Sequence, residues 1–201
     1  MDFYIWRTAM KLQFSDDYIP GTKLRRSEME NLTGLAFLKK VFFVSEGVML
    51  TQIRDISGID SSTLQNWTKR GWVVSAKSKR YDIDQVAHIL IINMLRSCMQ
   101  LDHIAFLIHY INGDVEDTSD DIIRDSILYD YICRILSRIS ESGECELASI
   151  KTVVESVTTD YEEPVEGARV RLNRALEIIT VTYYSALMKQ HAARLLETLG
   201  A

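Results

Sequence analysis

The side chains with the greatest chemical reach fall between Ser61 and Tyr81. Gln65 and Asn66 carry amides that can donate and accept at once. Lys69, Arg70, Lys77, Lys79 and Arg80 add five positive charges, and no acid lies in the segment. Amides suit adenine edges, and Lys or Arg suits guanine edges and phosphates. Ser62 and Thr63 add short hydroxyls at the start of the same run. The chemistry this set allows is recognition of a polyanion. A solvated charged turn is the plainer reading of the charge alone.

No set elsewhere implies bond-making chemistry. HExxH, a glycine-rich phosphate loop and a nucleophile elbow are all missing from the sequence. Cys98, Cys133 and Cys145 have no zinc spacing, so no metal is expected. His88 and His103 lie in apolar stretches and read as core or half-exposed histidines. The acids at Asp114, Glu116, Asp117, Asp120 and Asp121 lack the mid-loop glycine and closing glutamate of a calcium loop. The expectation is therefore no enzyme, no catalytic residue and no cofactor.

Positioning the basic set needs short, well-terminated elements. Leu50-Thr51 opens a helix, with Thr51 as its expected cap, and Gly58 ends it. Ser62-x-x-Gln65 has the form of a capping box for a second helix, which Gly71 closes. Residues 72–81 read as a tight two-strand ribbon or an extended loop. Asp82-x-x-Gln85 caps a long apolar helix running to about Cys98. Another helix begins at Leu101-Asp102 and ends near Asn112-Gly113. Helix, glycine turn, helix, basic ribbon and capped helix, in that order, describe a winged helix-turn-helix. Leu64 and Trp67 would face inward, with Ser62, Asn66, Lys69 and Arg70 outward and Thr63 at the flank.

The rest of the 201 residues frames this unit. Apolar residues are 47% of the chain and charged residues 25%, which excludes a mostly disordered chain. Nine glycines and two prolines argue against a many-turned sandwich and for long helices. The start, MDFYIWRTAMKLQF, lacks the apolar stretch of a secretory signal, and the uncharged run Gln85–Leu95 is too short to span a bilayer. The three cysteines suit a reducing compartment, so the expected location is cytoplasmic, away from membranes. Residues 1–27 read as an irregular arm around Pro20-Gly21. Residues 28–43 have a helical period through Leu32, Leu35, Leu38, Val41 and Phe42. Residues 114–120 read as a linker, followed by helices near 120–141, 145–158 and 165–199, the last opened by Pro164. From Gly113 to Glu163, fourteen acids face four bases, so the linker and the helices after it are strongly acidic. The expected class is mostly α with a small two-stranded wing. Residues 1–45 form an arm and helix, 46–112 the winged helix-turn-helix and 113–201 a helical C-terminal region.

Residues 63–108 resemble the DNA-binding core of MerR-type regulators. The matching features are Lys69-Arg70-Gly71-Trp72 at the end of the recognition helix and Arg80-Tyr81 at the end of the wing. Asp84-Gln85-Val86 and Leu101-Asp102-His103-Ile104 match the openings of the helices that follow. The stretch from about Leu50 to Asn112 is similar to an uncharacterised, MerR-like family from firmicute bacteria, on Leu50-Thr51, Asn66-Trp67 and Lys79-Arg80-Tyr81. Three departures stand out: some forty-five residues precede the motif, Gln65-Asn66 replaces the usual Arg-aromatic step, and no single long dimerising coiled-coil helix is evident after residue 112, where residues 120–199 read as a compact bundle. The resemblance implies a transcription regulator that binds double-stranded DNA sequence-specifically. Ser62, Thr63, Gln65, Asn66, Lys69 and Arg70 would act from the helix, and Lys77, Lys79 and Arg80 from the wing. One module spans about four or five base pairs, which implies a homodimer, joined through residues 120–199. Two alternatives carry forward: a protein-interaction module using the motif as scaffold, and a sensor taking a small-molecule effector through its C-terminal helices.

Overall fold

The computed structural model describes residues 17–43, 47–115, 117, 119–142 and 147–199. Residues 1–16 of the expected arm and Cys145 lie outside the described residues. The architecture is mostly helical, with one small antiparallel sheet. None of the described helices is long and apolar enough to cross a membrane.

The central element is helix α4, Ile83–Leu95. Apart from Asp84 in its first turn, its sequence is uncharged and leaves no polar stripe to face water, so it is buried on nearly all sides. Asp82 and Gln85 cap it reciprocally: the Asp82 carboxylate accepts from the Gln85 N–H at 2.9 Å, and the Gln85 side chain accepts from the Asp82 N–H at 3.0 Å. Around α4 pack helices α1 (Gly34–Val41), α2 (Leu50–Ser57), α5 (Leu101–Asn112), α6 (Asp125–Ser142) and α8 (Ala168–Glu197). Helix α7, Leu147–Val157, lies against α6 and α8. One continuous apolar core runs from Ile19 to Leu187.

The sequence leaves the docking of α1 open, and the structure lays it along α6. The Leu35 N–H donates to the Asp130 carboxylate at 2.8 Å, beside Gly34. The helix is shorter than its period predicts. Glu30 and Asn31 adopt left-handed φ values of 55° and 60°, so the first turn of the pattern becomes a separate 3-10 turn, Arg26–Met29. The Pro20-Gly21 turn is clamped from both sides. Tyr129 donates its hydroxyl to the Pro20 carbonyl at 2.7 Å, and Asn93 donates to the Gly21 carbonyl at 2.8 Å. Gly21 has φ +75°, and a Cβ there would collide with the Leu90 backbone, so glycine is required.

Between α5 and α6 the chain closes a loop. The buried side chain of Asn112 donates to the Ile123 carbonyl at 2.6 Å and accepts from the Ile123 N–H at 3.3 Å. Tyr161 then donates to the Ile122 carbonyl at 2.9 Å. Pro164 does not open α8. The helix begins four residues later, after Gly167 at φ +84°, because the chain must first turn away from the 3-10 turn Thr158–Asp160.

Candidate nucleic-acid interface

Helices α2 and α3 (Ser61–Lys69) are joined by Gly58-Ile59-Asp60. Gly58 takes φ +74°, a left-handed cap that lets the chain reverse. The Ser57 hydroxyl donates to the Ile53 carbonyl at 2.7 Å and accepts from the Ile59 N–H at 3.1 Å. Asn93 of α4 donates to the Ser57 carbonyl at 3.0 Å. Ile53, Ile59, Leu64 and Trp67 are buried on the inner side, which fixes what α3 presents outward.

Both expected caps shift. Helix α2 begins at Leu50, one residue before Thr51, and the Met49 N–H donates to the Gln52 side chain at 2.9 Å. Asp60, not the Ser62-x-x-Gln65 box, caps α3. Its carboxylate accepts from the Thr63 N–H at 2.8 Å, from the Thr63 hydroxyl at 2.8 Å and from the Ser62 hydroxyl. The Ser62, then the Thr63, hydrogen bonds hold the Asp60 carboxyl well below the usual carboxylate range. The N-terminus of α3 therefore carries a fixed anion where a helix dipole would otherwise attract a phosphate. Asp60 was legible as a cap residue by type; the Ser-x-x-Gln pattern two positions later competed with it.

Gln65, Asn66, Lys69 and Arg70 are exposed along α3 and at its end. The Arg70 guanidinium stands over the Trp72 ring, 5.1 Å from its centre. Gly71, at φ +73°, turns the chain, and the Trp72 N–H donates back to the Trp67 carbonyl at 3.0 Å.

The expected ribbon within 72–81 is replaced by a longer-range pairing. Strand β2, Arg80–Tyr81, pairs antiparallel with β1, Val48–Met49, which precedes α2. Val48 and Tyr81 are both buried and Met49 and Arg80 both exposed, so the register matches burial on each strand. Within 72–81 a single bridge joins Lys77 to Arg80 around a tight turn. Ser78 and Lys79 occupy that turn at φ 49° and 63°, left-handed values that neither residue favours. Tyr81 is buried in the same core as Leu64 and Trp67 of α3, which ties the turn to the helix. Lys77 and Lys79 are exposed. Arg80 donates to the Gly47 carbonyl at 2.8 Å and so braces the sheet.

The other sequence candidates fall elsewhere. His103 is exposed on α5. His88 is buried in α4 and bonded through both ring nitrogens. Cys133 is buried, and burial pushes its thiol up to about 12, which makes it inert at neutral pH. Among the described residues no three His, Cys, Asp or Glu side chains are grouped to hold a metal ion.

These features define a mostly helical protein whose exposed basic surface rests on two short helices and a two-stranded sheet. The chain belongs to the DUF1836 family, a domain of unknown function whose model matches residues 23–132. The match takes in α1 through α5 and the first turns of α6. It is also similar to the uncharacterised protein YkrK of Bacillus subtilis (strain 168), with 25% identity over 178 residues, covering 83% of this chain and 71% of that protein. No solved structure matches.

Proposed function

We propose that this chain is a transcription regulator that binds double-stranded DNA sequence-specifically through a MerR-like winged helix-turn-helix. The observation that carries the reading is the exposed face of α3. Gln65, Asn66, Lys69 and Arg70 all reach solvent from a helix whose other face is locked into the core. In the major groove, Gln65 and Asn66 read base edges, and Lys69 and Arg70 contact guanines or phosphates. Lys77 and Lys79 hold the backbone from the wing turn. Ser62 and Thr63 serve mainly as cap partners of Asp60. Arg80 acts through the sheet it braces.

The regulator acts as a homodimer through α8. Ile178, Val181, Ser185, Met188, Ala192, Leu195 and Leu199 recur at alternating intervals of three and four residues, the spacing of a helix–helix seam. Every one of them is exposed, the five large ones from 40% at Val181 to 81% at Leu199. A two-fold antiparallel pairing sets Ser185 against Met188, Ala192 against Val181 and Ile178 against Leu195, so a small residue meets a larger one in two of these three layers. Light scattering at micromolar concentration gives a dimer, and Leu195→Asp gives a monomer. A wild-type monomer contradicts this part.

One observation favours a scaffold-only reading. The Asp60 anion at the α3 N-terminus repels phosphate from the place where many DNA-binding helices receive it. Selection of duplexes from a random pool at low salt decides between the two. DNA reading yields an enriched, two-fold related site, and the scaffold reading yields none.

A further inference from the structure

His88 joins the two parts of the molecule that this reading separates. It lies on α4, 5% exposed. Its Nδ1 is 2.8 Å from Asp125 Oδ2, at the first residue of α6. Its Nε2 is 2.9 Å from the Trp72 carbonyl oxygen, just past the glycine that ends α3. A carbonyl and an ionised carboxylate only accept. A neutral imidazole has one N–H and satisfies one of them, whereas an imidazolium satisfies both. The other carboxylate oxygen of Asp125, Oδ1, is buried without a hydrogen-bond partner, so His88 Nδ1 is the one side-chain group bonded to this carboxyl.

The charged surroundings come from every element packed here. On α4, Asp84 pairs with Arg124 at 2.7 Å and accepts the Ser126 N–H at 3.0 Å. A cavity of about 340 Å³ opens beside the ring, and Lys77, Asp82, Asp114 and Asp121 line it with Asp84 and Asp125; His109 of α5, bonded to the Gly113 carbonyl at 2.7 Å, lines a second cavity that the ring borders. Burial, and then the carboxylates of Asp125, Asp120, Asp117 and Asp84, push Asp121 up to about 6. For His88, burial opposes the charged form. The charge and hydrogen bond of Asp125, the Trp72 carbonyl and Asp121 outweigh it and raise the pKa above the ordinary value near 6.5.

We propose that His88 is a proton-operated latch that ties the end of α3, through Trp72, to the start of α6, through Asp125, and that its deprotonation releases one of the two ties. The effect on DNA binding rests on the function proposed above; the latch itself does not. Its contribution is complete below the unfolded histidine value and is lost as pH rises through the raised folded one. Asp121 has the same sign lower down: its stabilising proton is lost between the ordinary carboxylate range and about 6. This corner is therefore tightest in mild acid and loosens above neutrality.

The test is the ring nitrogen shifts of His88 in the labelled full-length chain from pH 5 to 9, followed together with the Trp72, Val73 and Ser126 amides. The latch predicts both ring nitrogens protonated at pH 6.5, a midpoint above that value and the same midpoint at all three amides. Asp125→Asn lowers the midpoint by about one pH unit or more, a tenfold or larger change in proton affinity. Should that variant fail to fold, His88→Gln abolishes the pH response of the Trp72 amide. A singly protonated ring at pH 6.5, with the proton on Asp125 instead, overturns the latch, as does a Trp72 amide that ignores the His88 midpoint. A selected duplex binds several-fold more weakly above the midpoint than below it. Binding indifferent to pH while the ring titrates overturns the coupling to DNA. No duplex binding at any pH overturns the functional reading and leaves the latch to the shift data.

Discussion

Between Val48 and Tyr81 the elements are two to nine residues long, and most outward side chains are polar or charged. From Ile83 to Glu197 helices of eleven to thirty residues supply most of the buried core. The first region is shaped by its ends: Gly58, Asp60 and Gly71 terminate helices, and a strained turn aims two lysines outward. The second is shaped by its faces, with α4 enclosed by its neighbours. Stability is concentrated in one region and surface chemistry in the other. Substitutions therefore divide by region in what they change.

The largest expected effect lies in the helical body. Leu90 is fully buried at the centre of α4, and Leu90→Ala costs about 2–5 kcal/mol in urea unfolding. Asn66→Ala, on the exposed face of α3, stays within about 0.5 kcal/mol. Similar losses at the two sites would break the comparison. Next comes Asp60→Ala, which removes the α3 cap. It lowers the melting temperature by a few degrees and, by removing the anion at the helix N-terminus, tightens duplex binding at low salt. Ser78→Asn with Lys79→Gly relieves the left-handed turn and stabilises by about 0.5–1 kcal/mol, while duplex affinity falls with the lost charge. A gain in both would remove Lys79 from the interface. The smallest effect belongs to Lys40→Ala, which breaks the 2.8 Å pair with the largely exposed Glu30 and changes stability by under about 0.5 kcal/mol.

The same contrast governs what the sequence reveals. The Asp82/Gln85 cap, the glycine stops and the buried α4 follow from residues within a few positions of one another, and the structure contains all of them. The caps expected at Thr51 and Ser62 and the helix opening at Pro164 failed narrowly, because neighbouring residues compete for these ends and tertiary packing chooses among them. The pairing of Val48 with Tyr81 leaves no local trace, since the strands are separated by α2 and α3. The partners of His88 are likewise distant, at Trp72 and Asp125. The polar face of α3 was legible from its period, whereas Asp60 at its start was legible by type but masked by the competing Ser62-x-x-Gln65 pattern.

The measurement that tests the central claim most directly is duplex binding across a salt series, comparing the wild type with Lys69→Ala/Arg70→Ala. The account predicts that the wild type selects a two-fold related site and that log K falls with log salt at about −0.9 per phosphate contacted. The double variant should lose that affinity while keeping the wild-type melting temperature. Wild-type protein that ignores duplex DNA at low salt, or a double variant that binds as tightly, would contradict the assignment of α3 as a DNA-reading helix.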